Sequence, residues 1–148
     1  MSRYDEFQAY RSRMNCRILG EDSERAKTGA ARPDGSVAPG GTIVTKRFFR
    51  LDGQTYEAGV LPAKTKELLG LVASAVLRCD DCIAYHVDQC VKAGLTDEEL
   101  WEAFDIALIV GGSIVIPHLR RGIEFLDQAR GANLAASKGN KPGPDPRC

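Results

Sequence analysis

The sequence predicts an all-α protein, and three observations support that fold class. Apolar residues recur at spacings of three and four in successive segments of the chain, which is the pattern of amphipathic helices. No segment alternates apolar and polar residues cleanly enough to require a β-strand. The connections between the strongest segments are short, which favours antiparallel neighbours in a helical bundle.

The composition limits the classes of partner and the cellular location. The 148 residues are enough for one domain with its own core. Lys plus Arg and Asp plus Glu number 20 each, so the net charge is zero and neither nucleic acid nor a membrane is an expected partner. The first residues carry charges throughout and no run of about 18 apolar residues occurs, so we expect a soluble cytoplasmic protein.

The ends of the chain are predicted to flank a helical core within a single domain. Residues 1–41 are expected to contain a helix over residues 4–19, where apolar side chains form one stripe, and then a polar loop rich in Gly, Pro, Ser and Ala. Residues 131–148 are expected to form a flexible Pro/Gly tail. The core is therefore placed at residues 42–130.

The first segment of this core is ambiguous. Residues 42–56 (TIVTKRFFRLDGQTY) alternate weakly, and Asp52-Gly53 interrupts the pattern. We expect a short helix followed by a turn at Asp52-Gly53. Phe48 and Phe49 are expected to anchor the segment to the core.

Four strong helices are predicted to follow, and their boundaries carry recognisable signals. Pro62 suits the first turn of a helix that stops at Arg78. The other three are expected at Asp81 to Ala93, closed by Gly94; from Thr96, which forms a capping box with Glu99, to Gly111-Gly112; and at Ser113 to Gln128, with Pro117 in the first turn. Trp101 and Phe104 are expected in the core.

The cysteines divide into two groups. Five cysteines at irregular spacings do not form the even framework of a small secreted domain. Cys16, Cys90 and Cys148 are predicted to be buried small hydrophobic residues or incidental thiols. Cys79 and Cys82 form a CxxC pair, which in a reducing cytosol indicates redox or metal chemistry.

The chemistry depends on a chain reversal between Glu67 and His86. In one straight helix Glu67 would stand about 18 Å from Cys79 and could not contact it. A reversal near residues 78–80 makes the two helices antiparallel and brings the acid towards the thiols. Asp80 is expected to be the N-cap of the second helix, which supports the break.

After that reversal, Cys82 lies in the first turn of a helix and His86 one turn later. Unpaired N–H groups and the helix dipole favour a Cys82 thiolate, and His86 can accept its proton with Glu67 orienting the imidazole. Cys79 is close enough to resolve an oxidised Cys82 as a disulfide. The carboxylates of Asp80 and Asp81 would raise the pKa of the thiols by repulsion, and we expect the cap and the helix dipole to outweigh this effect.

The spacing of these residues resembles a known signature. Glu67, Cys79-Asp80-Asp81-Cys82 and His86 match the E-x11-C-x2-C-x3-H pattern of the alkylhydroperoxidase AhpD-like branch of the carboxymuconolactone decarboxylase superfamily. The similarity runs from about Lys64 to Leu126. It implies an AhpD-like helical bundle that assembles into a homo-oligomer, a dimer, trimer or hexamer.

The resemblance also implies a function. It implies a thiol-dependent peroxidase or disulfide oxidoreductase in antioxidant defence, in which Cys82 is the activated thiol, Cys79 its disulfide partner, His86 the proton relay and Glu67 the base behind it. The substrate would be a hydroperoxide, and the reductant an external dithiol, lipoyl or thioredoxin-like. No other cofactor and no metal are implied. Some members have a histidine where this chain has Asp81.

Three alternatives remain open from the residues. Zinc could be held by Cys79, Cys82 and His86 with His118 or Glu67 added, although Cys90 lies too far along a straight helix to join them. Lactone or decarboxylation chemistry like that of the superfamily's namesake would use acid–base groups alone. His118 with Arg120 and Arg121 could then bind an anionic substrate, or these side chains could form a satisfied helix face. The helices could also be an interaction scaffold.

Overall fold

The computed structural model describes residues 1–20, 33, 34, 36 and 39–139, and in these residues the regular secondary structure is helical with no β-strand. The all-α fold class is therefore confirmed for the described part of the chain. Its α-helices are α1 (Arg3–Leu19), α2 (Ile43–Tyr56), α3 (Ala63–Val76), α4 (Asp80–Lys92), α5 (Asp97–Gly111) and α6 (Ile116–Gly139), with a 3-10 turn at Ser113–Val115 before α6. None of these helices is both long enough and apolar enough to cross a membrane.

The described chain divides into two compact units, one within Met1–Thr55 and one that begins at Tyr56. In the first unit, α1 ends at Gly20, whose left-handed backbone (φ 72°) allows its N–H to reach the Cys16 carbonyl at 3.0 Å. The Gly41 N–H donates to the Ile18 carbonyl at 2.6 Å, and a Cβ on Gly41 would lie 2.9 Å from that oxygen. Glycine therefore permits this close approach. Most of the predicted polar loop lies outside the described residues.

Helix α2 differs from its prediction in two respects. The predicted turn at Asp52-Gly53 is wrong, because the helix is continuous from Ile43 to Tyr56. A single glycine costs a helix only about 1 kcal/mol, which the surrounding turns of α2 tolerate. The predicted anchor at Phe48 is also wrong, because that residue is 67 % exposed and α2 has no buried residue, whereas Phe49 is half-buried.

The second unit contains α3 to α6 and the core. Helix α4 packs against both α3 and α6, and α3 also packs against α5. Phe104 is buried as predicted, whereas Trp101 is 45 % exposed, so its predicted place in the core is wrong. The buried stripe of α5 is Leu100, Ala103, Phe104 and Ala107, and Trp101 lies about 100° round the helix from Leu100. The large fully buried side chains of this unit are Phe104, Phe125, Leu71, Ile83, Leu95 and Leu100.

The boundaries of the core helices largely follow their sequence signals. Thr96 caps α5 through the capping box with Glu99, and the helix ends at Gly111 before a left-handed Gly112. Helix α6 is longer than predicted, because it continues past Gln128 to Gly139. Alanines recur in that added length, and alanine is the strongest helix former. The predicted tail beyond residue 139 lies outside the described residues.

Candidate functional site

A sharp reversal joins α3 to α4. Helix α3 ends at Val76, Arg78 adopts a left-handed backbone (φ 61°), and the Cys79 N–H donates to the Ser74 carbonyl at 3.0 Å. Helix α4 then begins at Asp80. The predicted break near residues 78–80 is therefore present, and the two helices pack against each other.

Cys79 rather than Asp80 caps α4. Cys79 has an extended backbone (φ −95°, ψ 96°) and its sulfur accepts the Cys82 N–H at 3.4 Å, whereas Asp80 is already helical. The prediction that Asp80 is the N-cap is therefore wrong by one residue, because the N-cap position needs the extended backbone that Cys79 has. Asp80 instead lies in the first turn of α4, where the helix dipole still stabilises a carboxylate.

The two cysteines of the CxxC pair are joined at the start of α4. Their sulfur atoms form a disulfide, with the Cα atoms 5.2 Å apart. Cys82 is exposed and Cys79 is half-buried. Cys82 is therefore the more solvent-exposed residue of the pair.

A buried carboxylate–imidazole pair lies behind the cysteines. His86 is one turn beyond Cys82 on α4, and its Nδ1 lies 2.8 Å from Oε2 of Glu67 on α3. Both side chains are buried. The structure therefore brings together Glu67 and His86, as the chain reversal predicts.

Gly70 makes room for the imidazole, and sequence reasoning missed it. It lies one turn after Glu67 on α3, and a Cβ there would approach His86 to 2.7 Å at Nε2 and 2.8 Å at Nδ1. Contacts that short do not occur in relaxed structures, so any larger residue would displace the ring. The available signal was a glycine inside an otherwise apolar helix, which often marks a close approach.

Tyr56 meets the other side of the same imidazole and was also missed. Its hydroxyl oxygen lies 3.4 Å from His86 Nε2, and the two rings are 5.1 Å apart. With Nδ1–H donating to Glu67, a neutral imidazole leaves Nε2 free to accept from that hydroxyl. Tyr85 also contacts the His86 ring, edge-on at 5.1 Å. No sequence signal ties residue 56 to residue 86.

The ring nitrogens of His86 thus face Glu67 and Tyr56. A direct proton exchange between Cys82 and His86 therefore stays a prediction. The two residues share one helix face at i, i+4 spacing, so the exchange would need only a local side-chain movement.

A second carboxylate–histidine pair adjoins the disulfide. His118 Nδ1 on α6 lies 2.8 Å from Asp80 Oδ1, and Arg121 Nε lies 2.9 Å from Asp80 Oδ2. Burial alone would raise the pKa of Asp80, but hydrogen bonds and charge from Arg121 and His118 outweigh it and hold that pKa below its usual value. His118 and Arg121 are therefore engaged by a carboxylate of the chain itself, while Arg120 is exposed.

The remaining thiols of the described chain take no part in this site. Cys16 and Cys90 are buried, as predicted, and Cys148 lies outside the described residues. Burial, followed by the negative charge of Glu67, raises the pKa of Cys90 to about 12, which keeps it a protonated thiol. Within the described residues, no three His, Cys, Asp or Glu side chains are grouped to hold a metal ion.

Comparison with known proteins identifies relatives of this chain. Residues 44–124 match the carboxymuconolactone decarboxylase family. The chain is 26 % identical over 98 residues to uncharacterized protein 4 in the cox locus of Paracoccus denitrificans, which covers 66 % of this chain and 88 % of that protein.

Solved structures are similar as well. Two crystal structures of a Thermotoga maritima protein match at TM-scores of 0.63 and 0.72, with 59 % and 48 % identity over 68 % and 88 % of this chain and 84 % and 98 % of those chains. One is described as a carboxymuconolactone decarboxylase family protein with a possible involvement in antioxidative response. A family member from Legionella pneumophila matches at 28 % identity and a TM-score of 0.56, over 59 % of this chain and 78 % of that one.

Proposed function

The chain belongs to the carboxymuconolactone decarboxylase family, and from this premise we propose that it is a thiol-dependent peroxidase and disulfide oxidoreductase of the AhpD-like branch. The observation that carries the proposal is the Cys79–Cys82 pair at a helix start, one turn from the buried Glu67–His86 pair. The antioxidative involvement suggested for the Thermotoga maritima relative agrees with it.

The oxidative half-reaction begins with the reduced pair. The Cys82 thiolate attacks the terminal oxygen of a hydroperoxide, the O–O bond breaks, and the alkoxide leaves as an alcohol once protonated. Cys82 is then a sulfenic acid. The Cys79 thiol attacks this sulfur, water is released, and the Cys79–Cys82 disulfide forms. The exposure of Cys82 supports its assignment as the residue that meets the peroxide.

An external dithiol completes the cycle. One donor thiolate attacks the exposed Cys82 sulfur, the disulfide breaks, and its electron pair stays on Cys79 as a thiolate. The second donor thiol then releases Cys82 and leaves the donor as a disulfide. The Cys82 N–H that reaches the Cys79 sulfur at 3.4 Å favours the Cys79 thiolate. A lipoyl or thioredoxin-like donor in the cytoplasm fits this role, and no metal or further cofactor is invoked.

Glu67, His86 and Tyr56 supply the proton path. The Glu67 carboxylate orients the imidazole and stabilises the imidazolium that forms when His86 takes a proton. The Tyr56 hydroxyl lies at the opposite nitrogen, where a proton enters or leaves the ring. Because the pair is buried, its charges interact more strongly than they would in water.

We also propose that the protein assembles into a homo-oligomer. The last turn of α5 and the residues after it expose a row of apolar side chains, of which Ile109 is 85 % exposed. Such a row is better explained by contact with a second copy than by water. Ile109→Glu should lower the mass measured by light scattering in solution, and an unchanged mass would remove this row from the interface. The exposed apolar side chains are Ile106, Ile109, Val110 and Ile114.

Turnover of an organic hydroperoxide with a dithiol donor tests the proposed function. The wild type should consume peroxide and donor in equal amounts, and Cys82→Ser should abolish turnover. The rival lactone chemistry would need acid–base residues and no cysteine, and the buried Glu67–His86 pair could supply them. Turnover of a carboxylated lactone by the variant that lacks both cysteines, with no peroxide turnover by the wild type, would favour that rival.

A further inference from the structure

We propose that Arg121, together with His118, sets the reduction potential of the Cys79–Cys82 pair by neutralising the carboxylate of Asp80. The inference rests on the proposed redox function. It assigns a role in setting the potential to two residues of α6 that lie outside the sequence signature.

The cluster of Asp80, His118 and Arg121 bears on the electrostatic repulsion between a carboxylate and a thiolate beside it. When a donor thiol reduces the disulfide, two electrons and two protons enter the pair, and the first negative charge appears on the Cys79 sulfur. Asp80 is the next residue, and its side chain is only 32 % exposed. An uncompensated carboxylate there would oppose the Cys79 thiolate. Asp81 is exposed, so water and salt screen its charge more effectively.

The geometry of the cluster indicates that the negative charge of Asp80 is compensated from α6. Arg121 reaches Asp80 Oδ2 at 2.9 Å, His118 reaches Oδ1 at 2.8 Å, and Arg121 Nη2 lies 3.1 Å from His118 Nδ1. Both carboxylate oxygens are therefore engaged from α6. Arginine keeps its charge at every physiological pH, so the compensation is permanent. The lowered pKa of Asp80 agrees with a carboxylate held by opposite charge.

The other charged groups around the cysteines do not replace this cluster. Helix α4 packs against α3 and α6. On α3, Glu67 is engaged by His86. The reversal itself contributes Arg78, which is exposed and, like Asp81, faces water. Arg121 is therefore the permanent cation that forms an ion pair with the carboxylate beside Cys79.

The measurement is the equilibrium of the Cys79–Cys82 couple with a glutathione buffer, followed by mass spectrometry of the trapped thiols. Arg121→Gln should make the disulfide about threefold to tenfold harder to reduce, which for a two-electron couple is a potential about 15 to 30 mV more negative. Asp80→Asn should shift the equilibrium in the opposite direction, because it removes the carboxylate and leaves the positive charge of Arg121. Arg121→Lys should stay within about twofold of the wild type, since it keeps the charge.

Arg120→Gln is the matched control. It removes the same formal charge from the neighbouring, exposed position of α6 and should leave the equilibrium unchanged. An equal shift in the Arg120 and Arg121 variants would overturn the inference, because the effect would then be one of overall charge. A shift of the same sign in Arg121→Gln and Asp80→Asn would overturn it too, since that is the result expected of loosened structure.

Folding and the redox premise are checked in the same experiment. Helical circular dichroism establishes that each variant folds, and if Arg121→Gln does not, the direction of the Asp80→Asn shift decides the inference. A wild-type pair that cannot be cycled between thiols and disulfide would overturn both the proposed function and this inference. A pair that cycles normally, with a potential insensitive to Arg121 and Asp80, would overturn the inference alone.

Discussion

Helix α4 contributes one residue to each of two carboxylate–histidine pairs that have the same contact. In each, an imidazole Nδ1 is 2.8 Å from a carboxylate oxygen: His86 with Glu67, and His118 with Asp80. Their surroundings differ. The side chains of the first pair are 8 % and 10 % exposed, and those of the second are 18 % and 32 % exposed. The third partner is the Tyr56 hydroxyl in the first pair and the Arg121 guanidinium in the second.

The burial and the third partner of such a pair, rather than its contact geometry, therefore decide what the pair can do. In a buried pair the carboxylate and the imidazole interact strongly, which fixes the orientation of the ring and suits proton transfer. In the partly exposed pair the charge of the carboxylate is offset by an arginine, which suits a role in the electrostatics of the neighbouring cysteine. We therefore expect variants of the first pair to change turnover and variants of the second to change equilibrium.

Gly70→Ala should damage the buried pair most severely. The added Cβ would lie 2.7 Å from His86 Nε2, so the ring must leave Glu67. We expect a loss of about 1 to 3 kcal/mol in the free energy of unfolding and a fall of about 100-fold in peroxide turnover. Chemical denaturation and peroxide assays measure the two effects.

Gly131→Ala is the control for the helix backbone. Gly131 is helical and exposed, and a Cβ there would meet nothing within 4 Å. Alanine should stabilise this site by about 0.5 to 1 kcal/mol. If Gly70→Ala were also stabilising and fully active, the account of the imidazole pocket would be wrong.

Glu67→Gln should separate the two pairs by function. It removes the charge behind His86, so peroxide turnover should fall by about 30-fold to 100-fold and the thiolate fraction at neutral pH should fall with it. Asp80→Asn should change turnover by less than about tenfold, because it acts on the potential only. Thiol titration with an alkylating reagent supplies the second readout. An unchanged titration in Glu67→Gln would remove the acid from the mechanism.

Tyr56→Phe should have a smaller effect, about tenfold on turnover, because it removes one long hydrogen bond of 3.4 Å from a proton path that water can partly restore. Tyr85→Phe is the matched control. It removes the same hydroxyl from another ring that contacts His86 edge-on and should leave the pH profile of turnover unchanged. Equal pH profiles for the two variants would deny Tyr56 a part in proton transfer.

The sequence predicts the fold class, the α3–α4 reversal and the meeting of Glu67 with His86, because each depends on local signals. These signals can be recognised from neighbouring positions alone: Pro62 at a helix start, the apolar periodicity of residues 63–76, and the CxxC motif. The Thr96 capping box and the glycines after α4 and α5 are equally local. Boundaries of this kind follow from the backbone preferences of a few residues.

The parts that escaped prediction depend on contacts between distant positions. Tyr56 and His86 are 30 residues apart in the sequence, and Asp80 and His118 are 38 residues apart. Gly70 is interpretable only once the position of the imidazole is known. The exposure of Trp101 depends on which face of α5 the neighbouring helices cover. Cys79 replaced Asp80 as the helix cap because backbone conformation, not side-chain preference, decided the boundary.

The most direct test of the account is the state of the cysteines after one equivalent of organic hydroperoxide is added to the reduced protein. Mass spectrometry of the intact chain and its peptides should find an intramolecular Cys79–Cys82 disulfide, formed in step with one alcohol per chain. Reduced Cys79 and Cys82 after incubation with peroxide, or oxidation confined to Cys16 or Cys90, would contradict the central claim.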